Sequence, residues 1–200
     1  KQRAAELKDE KLYNQGHERP EGDFCPICVQ AIPFPIDKHA AFYACCMKRV
    51  CYGCGLAAQK RGLDKICPFC RSPLLNEAFS GVLEKIQKRV DARDPESICY
   101  HGSLHLIGAY GLDKDESKAI EMWSEAADLG STMALSKLGR VYYHGIEVAQ
   151  YTAKAVRFWE SAAMRGCAES RTMLGVVELE NGNYDRAVRH FLISAKMGHK

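Results

Sequence analysis

Apolar positions change their manner of recurrence three times along this chain, near residues 24, 74 and 94. Residues 1–23 are polar and charged, with Leu7, Leu12 and Tyr13 the larger apolar side chains. They predict a short helix over Lys1–Leu12, ending near Gly16 and Pro20, within an otherwise solvated arm. From Phe24 to Arg71 apolar residues are scattered without a period, between cysteines. After Pro73, Leu75, Phe79, Val82, Leu83, Ile86 and Val90 fall at helical spacing, and Asn76 stands where a cap belongs. That spacing predicts a linking helix within 74–93, with one apolar face that packs on the residues that follow.

Residues 94–200 repeat themselves. Ala119, Trp123, Ala127 and Gly130 return as Ala155, Trp159, Ala163 and Gly166, and again as Ala187, Phe191, Ala195 and Gly198. On a helix this spacing lines one face, where alanines admit a neighbouring helix, an aromatic ring fills the gap, and glycine ends the helix with a left-handed cap. A preceding helix in each unit carries Gly102, then Leu138 with Gly139, then Leu174 with Gly175, and His101 stands at the leucine position of the first unit. The expected architecture is an all-α solenoid of three helix pairs. Its aromatic and alanine positions read as core, and Cys99 and Cys167 read as small buried apolar residues.

The cysteines redraw the central segment. Eight of ten lie between residues 25 and 70, as three CxxC pairs (Cys25 with Cys28, Cys51 with Cys54, Cys67 with Cys70) plus the adjacent Cys45 and Cys46. Two thiolates two residues apart grip one metal ion from a tight turn, and two such halves complete a tetrahedral site, so eight sulfurs supply two sites. The rival, a disulfide framework, has no visible secretory signal, and CxxC sulfurs are too close together to bridge distant segments. His39 is the alternative ligand should Cys45 and Cys46, as neighbours, fail to reach one ion together.

Charge then removes a reading. Residues 25–71 hold seven Lys or Arg against two Asp, which looks basic, but eight thiolates and two zinc ions bring the segment to about +1. The basic excess offsets thiolate charge, and nucleic-acid binding draws no support from it. No apolar run is long enough to span a membrane. Four-sulfur sites are closed and leave no position for a substrate, which argues against hydrolase or oxidoreductase chemistry. The chain opens on Lys1 and closes on Lys200 inside what reads as an unfinished array, so a longer parent is expected.

The spacing of the eight cysteines resembles an all-cysteine RING finger over residues 24–73. The resemblance implies a zinc-stabilised cross-brace in which Cys25, Cys28, Cys51 and Cys54 hold one zinc ion and Cys45, Cys46, Cys67 and Cys70 hold the second. It implies recruitment of a ubiquitin-conjugating enzyme through Ile27, Pro68 and Arg71, with no covalent intermediate and no catalytic nucleophile in this chain. Arg71 would hydrogen-bond the enzyme and ubiquitin together and hold their thioester in a reactive pose. Ala58 departs from the family, which often has a tryptophan there. The repeats over 94–200 resemble Sel-one-like repeats, relatives of the tetratricopeptide repeat, which implies a protein substrate or scaffold bound along them. Together these resemblances imply a cytoplasmic or nuclear ubiquitin ligase or ligase adaptor; a scaffold without transfer activity is the alternative.

Overall fold

A computed structural model describes residues 2–74 and 79–199, which form two compact units: residues 21–129, and residues 1–20 together with 130–200. Leu75 and the expected Asn76 cap lie outside the described residues, as does the side chain of Phe79.

In the unit of residues 21–129, a hairpin of β1 (Ala40–Tyr43) and β2 (Lys48–Cys51) pairs Ala40 with Cys51 and Tyr43 with Lys48. A helix over Tyr52–Lys60 follows directly. It begins at Tyr52 because Cys51 caps it, its sulfur accepting the Cys54 N–H at 3.4 Å. Cys25, Ile32, Ala40 and Val50 form a small core against Ile36 and Tyr43. So few apolar side chains bury little surface, and a segment of this size needs another source of folding energy.

The linking helix runs over Phe79–Asp91, with Ile86 fully buried and Val82, Leu83 and Val90 half-buried. It packs on the next helix, Pro95–Ile107. Asp94 caps that helix, accepting from the N–H groups of Glu96 and Ser97 at 3.0 and 3.1 Å, with Pro95 in the first turn. Arg89 of the linking helix pairs with Asp94 and donates to Ser97 Oγ at 3.0 Å, which fixes the joint. Phe42 of β1 meets the Tyr100 ring at 4.7 Å, attaching the hairpin to the same helix. The pair closes with Glu116–Asp128, which packs against Pro95–Ile107.

The other unit holds two further pairs, Thr132–His144 with Thr152–Met164 and Ala168–Glu180 with Tyr184–Lys196. In every pair the aromatic of the second helix rests on the glycine of the first. A Cβ on Gly102 would lie 3.1 Å from Trp123, one on Gly175 would lie 2.6 Å from Phe191, and one on Gly139 would overlap the Trp159 indole. Gly130, Gly166 and Gly198 have φ of 101°, 87° and 90°, the left-handed values their positions required. On Tyr184–Lys196 the buried line shifts to Ala187, His190 and Ser194, while Val188, Leu192 and Ala195 face out. Cys99 is buried as expected; Cys167 instead caps a helix, accepting the Ser170 N–H at 3.5 Å.

The arm departs most from the sequence reading. Its helix spans Gln2–Asn14 and is held by the unit rather than solvated: Leu12 is buried among Ala155, Trp159, Ala163, Leu174 and Val177. Arg171, 159 residues away in sequence, donates to the Leu12 carbonyl at 2.6 Å. Leu7 remains exposed. A few docking residues in a polar segment carry no periodic signal, so composition alone misreads such an arm.

Candidate metal centres

Two of the three CxxC pairs form the same turn. The Val29 N–H donates to the Cys25 carbonyl at 2.8 Å and the Cys25 N–H to the Gln30 carbonyl at 2.9 Å. Arg71 and Cys67 repeat the first bond at 3.0 Å, and Cys67 and Ser72 the second at 2.7 Å. Isolated bridges, Phe24 with Ala31 and Ile66 with Pro73, close the two turns. Both place the residue after the second cysteine in the left-handed region, Val29 at φ 59° and Arg71 at φ 63°. The third pair, Cys51 and Cys54, uses a helix N-terminus instead. Cys45 and Cys46 occupy the tip of the β1–β2 hairpin, where the Cys46 N–H donates to the Tyr43 carbonyl at 3.2 Å.

These elements gather the eight sulfurs into two groups, Cys25, Cys28, Cys51 and Cys54 in one and Cys45, Cys46, Cys67 and Cys70 in the other, each with all sulfurs within 4.8 Å of one another. The Cys28–Cys51 and Cys46–Cys67 separations are 3.8 Å, and Cys45–Cys70 is 3.4 Å. Zn–S bonds of about 2.3 Å around a regular tetrahedron put sulfurs about 3.8 Å apart, so the donor set fits that ion in number, kind and spacing. The groups interleave along the chain, first pair with third and second with fourth. His39 belongs to neither group: it is exposed at the end of a single turn over Ile36–Lys38.

Without a cation the thiols of one group cannot all ionise. Burial pushes the Cys45 and Cys54 thiols well above their ordinary range, reinforced by hydrogen bonds to neighbouring cysteines, and raises Cys51. Cys46 is pushed up to about 12, by burial and then by the charge of Cys67, against a lowering backbone bond from Lys48. At Cys25 burial is outweighed by backbone bonds from Cys28 and Cys51, and the thiol falls to about 6. At Cys70 the hydroxyl and backbone of Ser72 do the same, also to about 6. Each group thus holds one ready thiolate and at least two thiols that need a positive ion to release their protons. Ser72, with Oγ 3.3 Å from Cys70 Sγ, escaped the sequence reading. A hydroxyl two residues past a ligand is its only signal there.

The residues assigned to enzyme binding are not presented alike. Ile27 is 43% exposed and Arg71 is exposed. Pro68 is buried and lines a cavity of about 240 Å³ with Tyr43, Leu56, Ala58, Ile66 and Leu74. Neither Ile27 nor Arg71 lines that cavity. No helix among the described residues is long and apolar enough to cross a membrane.

Comparison with known proteins bears on the helical part. The model of the Sel1 repeat matches residues 95–131, 132–167 and 168–199. A Sel1 repeat protein from Oxalobacter formigenes is similar at 24% identity and a TM-score of 0.54, over 60% of this chain and 50% of its own. A protective antigen of uropathogenic Escherichia coli with an SLR fold is similar at 16% identity and a TM-score of 0.59, over 74% of this chain and 33% of its own. This chain therefore spans half or less of the length of those structures. No curated protein matches it. The cysteine-rich segment lies outside the matched residues, and three repeat matches over more than half the chain show that it belongs to the Sel1 repeat family.

Proposed function

We propose that this chain is a protein-interaction scaffold in which the Sel1 repeats hold a protein partner and a two-zinc finger provides a second docking surface. The observation that carries the reading is the contact of the finger with the first helix pair, Phe42 on Tyr100, within one compact unit that holds both the finger and a repeat. Cys25, Cys28, Cys51 and Cys54 hold one ion and Cys45, Cys46, Cys67 and Cys70 the other. Zinc there is structural, since four sulfurs close its coordination sphere. Thiolate ligands suit a compartment that keeps thiols reduced, the cytoplasm or nucleus.

A second reading, a RING-type ubiquitin ligase, is favoured by the interleaving of the two sulfur groups and by exposed Arg71 directly after the last cysteine. In that reading the finger recruits a charged ubiquitin-conjugating enzyme, a substrate lysine attacks the partner's thioester, and this chain contributes position rather than a nucleophile. An in vitro ubiquitination assay over a panel of conjugating enzymes, with zinc measured on the same sample, separates the two. Two zinc ions per chain with conjugates lost in Arg71→Ala establish the ligase; two zinc ions and no conjugates leave the scaffold. Fewer than two ions in a folded chain overturn the two-zinc finger on which both readings rest.

A further inference from the structure

Arg171 is 0% exposed, yet no carboxylate among the described residues pairs with it. Its two terminal nitrogens donate to backbone carbonyls of the arm, Leu12 and Gln15, and its Nε has no partner. His190 beside it is equally buried, with Nδ1 unpartnered and Nε2 at 3.4 Å from the Tyr13 hydroxyl. A buried guanidinium is normally matched by a carboxylate, whose two oxygens accept its fork of donors. Here two neutral carbonyls at the C-terminal end of a helix take that place. They supply only the partial negative charge of the helix end.

The rest of the groove is shaped for a helix. Arg186 pairs with Asp9 one face up, and Leu12 fills an apolar pocket beneath Trp159. Past the helix end the arm turns at Gly16, with φ of 67°, where a Cβ would overlap the Ala163 carbonyl. The site thus has an acid contact at one end, a leucine pocket in the middle, and at the other end a buried cation whose charge the arm leaves unmatched.

We propose that this groove is an interaction site for an amphipathic helical peptide that ends in a carboxylate, and that the N-terminal arm occupies it in cis as a neutral-ended imitation. The partner presents an acidic residue, then a leucine one turn later, then its terminal carboxylate on Arg171, and displaces the arm to do so. This rests on the reading of the repeats as a partner-holding surface and names the chemistry of that partner; it is independent of the finger.

The probe is a labelled synthetic peptide of residues 2–15, made with a free C-terminal carboxylate at Gln15 and separately as the amide. Gly16→Val in the full chain removes the turn that seats the arm. The opened chain is expected to bind the acid about tenfold more tightly than the amide, and Arg171→Gln within it to erase that difference. The unmodified chain, its groove filled, binds either peptide at least about tenfold more weakly. Equal binding of acid and amide, or no binding by the opened chain, overturns the proposal and leaves the scaffold reading to find its partner elsewhere. If Gly16→Val does not fold, a protease site between Pro20 and Glu21 of the unmodified chain replaces it. After cleavage the acid peptide is expected to release the fragment of residues 1–20, and retention of that fragment under excess peptide overturns the proposal.

Discussion

The indole Nε1 of Trp159 donates to the carbonyl of Ser136 at 3.2 Å, one helical turn before the glycine on which the same ring rests. Trp123 and Cys99 repeat the bond at 3.0 Å. Phe191 has no donor, and the third pair instead joins its helices through Thr172 Oγ1 and Ser194 Oγ at 2.8 Å. The ring and the glycine therefore act together. Gly139→Ala drives a methyl group into the indole and is expected to cost about 1–3 kcal/mol, as is Trp159→Phe, which loses the hydrogen bond and some packing. Urea unfolding midpoints measure both, and Trp159→Leu added to Gly139→Ala should destabilise by less than the sum.

Metal removal should act on one part of the molecule. A chelator is expected to unfold the finger, whose only α-helix is Tyr52–Lys60, and to leave the repeat helices standing. Helical circular dichroism should change little while amide protection disappears over residues 24–73. Proportional loss over the whole chain would mean that the repeats depend on the metal as well.

Ala58 lies in the wall of the finger's cavity, beside Pro68 and Leu74. Ala58→Trp places a large ring over that cavity. If the ligase reading holds, this substitution is expected to tighten binding of a conjugating enzyme about tenfold, whereas a docking surface of another kind would be weakened or untouched. Calorimetry against the enzyme panel decides.

Burial, and then the charge of Arg171, hold His190 down to about 4, with Arg186 adding to the lowering and Glu178 and Asp9 opposing it. An unfolded histidine titrates near 6.5, so the neutral folded ring contributes stability above that pH. The contribution declines as pH falls from about 6.5 towards 4, by up to roughly 3 kcal/mol. The ring's NMR titration should show it neutral at pH 5.5, and an ordinary midpoint near 6.5 would refute the burial argument. Because acid also strips metal from thiolates, the stability comparison should be made against His190→Gln rather than across pH alone.

The repeat was legible because period, small residues and cap glycines all act within one helix pair, and a single sequence displays them. Leucine in Leu138 and Leu174 against buried His101 shows the tolerance of that pattern. The pairing of the eight cysteines into two groups of four was legible from spacing. The device that lets Cys45 and Cys46 serve one group, a hairpin tip, was not, since strand pairing between Ala40–Tyr43 and Lys48–Cys51 is a relation between segments. The docked arm was hidden for the same reason: its partners Arg171, Arg186 and His190 stand more than 150 residues away.

The hairpin also ties the two sulfur groups to one fate. Its tip carries Cys45 and Cys46 of one group, and four residues of β2 later Cys51 belongs to the other. An ion at the tip fixes the strand register, and the register delivers Cys51 to its partners; an ion at Cys51 fixes the same register from the opposite end. On the two-zinc reading loading is expected to be cooperative: under limiting zinc, native mass spectrometry should find empty and doubly filled chains with few carrying a single ion.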